Sequence, residues 1–219
     1  MVNRVIILTL GFDEKFAIRA LMRTAPLKDD EVMIIIPTQK DERAEKALTS
    51  LKKFCEIIEN IMLEVVEVPV NEPELAIATI YKVLSHKLRS EKRLHLNLSG
   101  GMRALILETL AATLAAASHI PNIKIEVELE NLSGVAEFKL DHFRLSPPGS
   151  LDLDILTSIK KLEDAHIYAT LDMITSETKM PRSTVYRRLL TLTKKGYVKI
   201  EKQGRKILYS LTDLGRIWA

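Results

Sequence analysis

A chain of 219 residues is long for one domain and suits two unequal ones. Hydrophobic residues make up 47% of it, which supports real cores and argues against intrinsic disorder, and the single cysteine, Cys55, excludes an intrachain disulfide. The net charge of +3 conceals an asymmetry. From Lys179 onward eleven Lys and Arg face two acids, Glu201 and Asp213, a balance of +9 that leaves −6 on the preceding residues. Such a basic segment on an acidic body suggests a polyanion partner at one end of the chain.

Arg4–Thr9 (RVIILT) reads as a strand. The apolar run around it is too short to span a membrane and no signal-peptide cleavage pattern follows, so a soluble cytoplasmic protein without a membrane partner is expected. A helix follows over Asp13–Thr24, with Phe16, Ala17, Ala20 and Leu21 on one face, then a strand over Glu31–Ile36. The helical period continues over Asp41–Met62. There Cys55 falls on an apolar stripe with Leu48, Leu51, Phe54 and Ile58, and reads as a core thiol with no metal-ligand partners. Strand Leu63–Val70, helix Glu72–Arg89, strand Arg93–Leu98 and the alanine-rich helix Met102–Ser118 come next. Two strands, Lys124–Glu130 and Val135–Leu140, close the series around the turn Asn131–Gly134.

Strands alternating with helices imply an α/β fold, a Rossmann-like parallel sheet with helices on both faces; the last two strands form a terminal β-hairpin. No G-x-G-x-x-G follows the first strand and no P-loop sequence occurs, which disfavours ordinary dinucleotide and P-loop nucleotide binding. Ser146-Pro147-Pro148-Gly149-Ser150 can continue neither strand nor helix. The expected organisation is a Rossmann-like domain over 1–145, a linker over 146–150 and a second domain over 151–219.

In that second domain Leu151–Leu162 reads as helix and Glu163–Thr178 as a further helical zone. A helix opened by Pro181 runs to about Lys195, where Gly196 stops it, with Val185, Leu189 and Leu192 facing the core. Tyr197–Glu201 and Lys206–Leu211 alternate like strands around the turn Lys202–Arg205. Three helices and a hairpin are the order of a C-terminal winged helix-turn-helix. The polar face of the Pro181 helix offers Arg182, Ser183, Thr184, Tyr186, Arg187 and Arg188, and the hairpin tip offers Lys202, Arg205 and Lys206. An α-helix fits the major groove of double-stranded DNA, where arginine pairs with guanine and hydroxyls hold phosphates. The string MPRSTVYRRLLTLTKKGYVKIEKQGRKILYSLTDLGR also resembles the recognition helix, wing and tail of many bacterial and archaeal repressors. A module that docks another protein is the alternative for such a fold.

Two loops stand out in the first domain. Leu10-Gly11-Phe12-Asp13 follows the first strand, and Asn97-Leu98-Ser99-Gly100-Gly101-Met102-Arg103 follows the fourth. Both fall beyond the carboxyl ends of strands, near the switch in strand order where α/β sheets bind ligands. Amides of Gly101, Met102 and Arg103 open a helix whose N-terminus attracts anions, and Arg103 adds a guanidinium. Glycines there also serve simply to make tight βα turns, and the residues alone leave both readings open. Thr38, after the second strand, is a candidate by position alone.

The G-F-D loop paired with L-N-L-S-G-G-M-R closely resembles the CRISPR-associated Rossmann-fold (CARF) sensor domains. With the linker and basic winged helix, the whole chain resembles the CARF–winged-helix transcription regulators of CRISPR–Cas loci. The resemblance implies a homodimer that binds a cyclic oligoadenylate, foremost cyclic tetra-adenylate, across its two-fold axis and reads a palindromic DNA site. It places ligand contacts at Gly11, Phe12, Asp13 and Ser99–Arg103, and implies no cofactor. Some CARF proteins cleave cyclic oligoadenylate with the ribose 2′-hydroxyl as nucleophile, so a ring nuclease with an accessory DNA-binding domain is the alternative. The histidines (86, 95, 119, 142 and 166) are scattered, and neither a catalytic constellation nor metal-ligand spacing is evident.

Overall fold

A computed structural model describes residues 4–27, 29–39, 41–58, 61–87, 93–117, 123–143, 145, 147–204 and 206–219. The chain divides into two compact units, Met1–Arg144 and Leu145–Ala219. In the first unit, strands β1 (Arg4–Thr9), β2 (Glu31–Pro37), β3 (Leu63–Val68), β4 (Arg93–Asn97), β5 (Ile123–Glu128) and β6 (Val135–Phe138) form one sheet. Helices α1 (Lys15–Thr24), α2 (Glu42–Ile57), α3 (Pro73–Lys87) and α4 (Arg103–Ala116) connect its parallel members. The strand order is β3-β2-β1-β4-β5-β6, parallel except for the β5–β6 hairpin. This is the Rossmann-like arrangement that the alternation implies.

Strands buried on both faces are apolar throughout, and their period of two divides the core into layers. Val5, Ile7, Met33, Ile35, Leu94 and Leu96 pack with Ala76, Ile80 and Leu84 of α3 and Leu105 and Ala112 of α4. Ile6, Leu8, Leu10, Val32 and Ile34 pack with Ala17, Ala20 and Leu21 of α1 and Ala47, Leu51 and Cys55 of α2. Cys55 is buried, and burial pushes its thiol up to about 11, as an inert core residue requires.

Several boundaries depart from the sequence reading. The expected helix over Asp41–Met62 begins at Glu42, because the Asp41 side chain caps it by accepting from Arg43 and Ala44 amides, and it ends at Ile57. β5 stops at Glu128 because the Leu129 amide turns to the Gly134 carbonyl at 2.9 Å, closing the hairpin. β6 stops at Phe138, and Leu140–His142 coil into a 3-10 turn.

The second unit holds α5 (Ser150–Asp164), α6 (Leu171–Thr178), α7 (Arg182–Lys194), β7 (Val198–Gln203), β8 (Lys206–Leu211) and the short α8 (Asp213–Arg216). Ser150, expected in the linker, is the first residue of α5, with Gly149 as its N-cap. The zone over Glu163–Thr178 is not one helix. His166 turns left-handed (φ 59°), and Ala169 then bridges to Tyr209 of β8 before Thr170 caps α6. The hairpin turn is tighter than expected, since Lys202 and Gln203 still pair with Ile207 and Lys206. Ile155, Leu156 and Ile159 of α5 join Ile174, Val185, Leu189, Leu192, Val198, Tyr209 and Leu211 in one core. Three helices and a β-hairpin around a common core make a winged helix.

Two turns fix this unit. Gly196 adopts φ 77° and ends α7, as an αL residue after a helix does. Thr212 then donates its hydroxyl to the Gly196 carbonyl at 2.6 Å and accepts from the Gly215 amide at 3.0 Å, tying the tail back to the end of α7. A Cβ on Gly215 would stand 2.0 Å from the Tyr197 carbonyl oxygen, so only glycine fits. Gly215→Ala is therefore expected to destabilise the winged helix by at least ~1–3 kcal/mol, the usual cost of overpacking. Gly134→Ala, which meets only a Leu129 methyl at 3.9 Å, should be near neutral; chemical denaturation measures both.

Candidate ligand and nucleic-acid sites

β1 and β4 are hydrogen-bonded neighbours, and the chain moves outward from β1 in opposite directions before and after α3. The loops after β1 and β4 thus stand side by side at the switch point of the sheet. They touch backbone to backbone. A Cβ on Gly11 would fall 2.8 Å from the Cα of Gly101, and one on Gly100 would fall 2.7 Å from the Thr9 carbonyl oxygen. Gly101 has φ 102°, a conformation that side chains avoid. The buried Thr9 hydroxyl donates to the Gly100 carbonyl and completes the clamp. These glycines hold the loops against each other, a task more demanding than a tight βα turn.

Behind the clamp, Asn97 is 2% exposed. Its Oδ1 accepts from the Ser99 amide at 3.2 Å, and its Nδ2 has no hydrogen-bond partner among the described residues. The Ser99 Oγ accepts from the Glu128 amide at 2.8 Å. Glu128 is itself buried, and its carboxylate takes Arg19 and Arg23 of α1 at 2.5 and 2.8 Å. Burial opposes its ionisation, and the guanidiniums of Arg23 and Arg19 more than offset it, holding the carboxyl below its ordinary range. The β4 loop is thereby tied through β5 to α1.

The open side of the clamp carries different groups. Phe12 is 56% exposed, and Met102 and Arg103 are exposed beside it. Met102 is the N-cap of α4 and supplies no capping hydrogen bond, so the first amides of a fourteen-residue helix face outward without a side-chain partner. Arg103, the first helical residue, makes no ion pair or hydrogen bond among the described residues. Free amides, the helix dipole and a free guanidinium make this a place for an anion. Asp13 accepts from the Lys15 amide at 2.9 Å and so steadies the start of α1. The Leu10 side chain lies in the core, and its amide donates to Ile35. Thr38 is exposed at the carboxyl end of β2, its amide bonded to Val68.

In the winged helix, Arg182, Ser183, Tyr186 and Arg187 are exposed on α7, and Thr184 and Arg188 are half-buried. The arginines differ in attachment. Arg188 holds the nearly buried Asp152 of α5 at 2.7 Å, and Arg182 holds Asp172 of α6 at 2.8 Å in a solvent-exposed pair. Arg187 has no such partner among the described residues. Tyr186 and Arg182 both face the buried Tyr209; burial first and the Tyr186 hydroxyl second raise that phenol above its ordinary range. Lys202 and Lys206 are exposed on the hairpin, and Arg205 lies outside the described residues. Sequence reasoning missed Asp152, Asp172 and Glu128, because their partners lie 36, 10 and more than 100 positions away. It also missed Leu190, which is exposed in the middle of α7 and could have been found from its place off the core stripe.

Among the described residues no group of three His, Cys, Asp or Glu could hold a metal, and no helix is long and apolar enough to cross a membrane.

Comparison with known proteins gives two family matches. The Csa3 CRISPR-associated Rossmann-like domain matches residues 4–139, and the sugar-specific transcriptional regulator TrmB matches residues 165–214. No curated protein matches. Among solved structures, AF1382 from Archaeoglobus fulgidus is 24% identical over 32% of this chain and 77% of its own, with a TM-score of 0.31. Bordetella bronchiseptica BpsR, whose DNA binding is regulated by 6-hydroxynicotinic acid, is 19% identical over 33% of this chain and 50% of its own (TM-score 0.30). Protein VC1899 from Vibrio cholerae is 10% identical over 98% of this chain and 63% of its own (TM-score 0.42).

Two expectations follow from the ion pairs. Arg188→Ala should destabilise the winged helix by ~1–3 kcal/mol, because it leaves Asp152 buried without its partner while a third of the arginine already met solvent. Arg187→Ala should leave the melting temperature unchanged. The Glu128 carboxyl, held low in the folded state, contributes stability that is fully present above the unfolded value near 4.5 and is lost as pH falls through the lower folded value. Glu128→Gln should flatten that acid limb in a stability–pH profile.

Proposed function

We propose, given that the chain belongs to the family of the Csa3 CRISPR-associated Rossmann-like domain, that it is a homodimeric regulator that binds double-stranded DNA and answers to a cyclic oligoadenylate. Its Rossmann-like unit and its winged helix are together those of a CRISPR-associated transcription regulator. In this reading the winged helix lays α7 in the major groove of a palindromic promoter site in the cytoplasm, and the hairpin lysines 202 and 206 rest on the backbone. The effector, cyclic tetra-adenylate foremost, lies against the clamped loops of both subunits. The observation that carries the reading is the uncapped N-terminus of α4 with the unpaired Arg103, held open beside the Gly11–Gly101 contact. Each subunit offers half of a four-phosphate ring the same anion-binding loops, which is what a two-fold axis requires. Phe12, exposed on the adjacent loop, offers an adenine a ring to stack on.

Gly11, Gly100 and Gly101 are poor places for a test, since substitution there drives the loops apart. Arg103→Ala is a cleaner one, because the side chain supports nothing else. Calorimetry should show cyclic tetra-adenylate binding to the wild-type chain and a loss of ~1.5–3 kcal/mol per subunit in Arg103→Ala, the worth of a charge-assisted hydrogen bond. DNA affinity without effector should be the same for both. Absence of binding to the wild-type chain, or equal binding by the variant, defeats the sensor assignment. Light scattering that finds a monomer at micromolar concentration defeats the dimer.

A further inference from the structure

Leu190 has no structural reason to stand where it does. It is 45% exposed on α7, while Val185, Leu189 and Leu192 of the same helix are fully buried. Successive residues turn by about 100° around a helix, so positions 183, 187, 190 and 194 line up opposite that core stripe. All four are exposed. They present a hydroxyl (Ser183), a guanidinium (Arg187), an isobutyl group (Leu190) and an ammonium (Lys194). Arg182 and Arg188 sit on the two flanks of the helix instead, drawn toward Asp172 of α6 and Asp152 of α5. The arginine content of α7 therefore overstates what it can aim outward. On the outermost stripe there is one arginine, and one large apolar side chain beside it.

We propose that Leu190 is a base-reading residue that contacts the C5-methyl of a thymine in the major groove, next to a guanine taken by Arg187. This rests on the duplex-DNA reading above. The major-groove edges of the bases are polar except for that methyl, so an apolar side chain amid cations has one complementary group there. Arg187 and Leu190 are three residues apart, about 4.5 Å along the helix axis, against about 3.4 Å per base step. The thymine therefore falls one or two steps from the guanine. Arg188 is a positioning residue that fixes the rotation of α7 through Asp152, and Arg182 lies where a phosphate oxygen can replace the exposed Asp172.

The test uses duplexes that the full-length protein selects from a pool with a randomised core. In the selected duplex each thymine is replaced in turn by deoxyuridine, which removes one methyl and leaves base pairing intact. Wild-type protein is expected to lose about fourfold in affinity per contacted half-site at one thymine position, the worth of burying one such group. Leu190→Ala should bind more weakly and be indifferent to that replacement. Arg187→Ala should lose preference for the neighbouring guanine yet keep its sensitivity to the methyl. Thermal melting confirms that each variant is folded, as expected for exposed positions. If no deoxyuridine duplex is weakened, or Leu190→Ala is weakened as much as wild type, the proposal is overturned and the DNA reading stands. If the wild-type chain selects no duplex at all, both fall.

Discussion

The Rossmann-like unit depends on one contact, the approach of the β1 loop to the β4 loop at Gly11 and Gly101. Parallel pairing of β1 with β4 sets Leu8 beside Asn97, so the two chains leave the sheet at the same level and must pass each other at once. A Cβ at Gly11 or Gly100 would force them apart. With three glycines and the hydrogen bond from Thr9, they pack as backbone on backbone. That closeness places the start of α4 next to the exposed Phe12, and it does so with main-chain atoms that have no rotamers to choose. A site built in this way is set by the fold rather than by mobile side chains.

The second determinant is how charge is spent within each unit. In the Rossmann-like unit three carboxylates are neutralised in place, while Glu108 of α4 is buried with no partner among the described residues and burial raises its pKa. Glu128 takes Arg19 and Arg23, Glu126 takes Lys124 and Asp30 takes Arg4. Arg103 stands apart from these pairs at the mouth of the clamp. In the winged helix the position of an arginine around α7 decides its employment. Arg188 and Arg182 face neighbouring helices and are tied to them, and Arg187 faces away and is not. A net charge of +9 over the basic segment therefore says less than the angle at which each cation leaves its helix.

How far the sequence reached follows from the range of the interactions involved. The continuous apolar strand Arg4–Thr9, the stop at Gly196 and the core stripe Val185–Leu189–Leu192 are local, and they were legible as written. The Gly-Gly loop was legible as a candidate site but not in its role, because that role depends on a β1 loop about ninety residues earlier. Boundaries failed where a single turn intervened. His166 in a left-handed conformation breaks what composition alone would continue as helix, and the Leu129–Gly134 bond ends β5 inside a run of strand-forming residues. Asp152 and Glu128 were invisible because a buried acid shows itself only through a distant partner.

The surfaces assigned to recognition share a physical property: each sets a cation unpaired among the described residues near an exposed large apolar side chain. Asp41, Thr170 and Thr212 cap their helices with side chains, whereas α4, like α1, α5 and α7, begins without a side-chain cap. Phe12 and Leu190 are among the large apolar side chains that stay outside a core, and each lies near one of the unpaired arginines, Phe12 through the Gly11–Gly101 contact and Leu190 along α7. Arg4, Arg19, Arg23, Arg182, Arg188 and Arg216 find carboxylates, and Arg103 and Arg187, like Arg43 and Arg93, find none among the described residues. Each such arrangement forgoes stability that an ordinary substitution could recover, a glutamate on the first turn of α4 or a lysine at position 190. The coincidence of an unpaired cation with an exposed apolar side chain, rather than either alone, is what points to a partner at these two places. By that argument the anion proposed at the α4 terminus and the base edge proposed at Leu190 would supply what the chain itself leaves open.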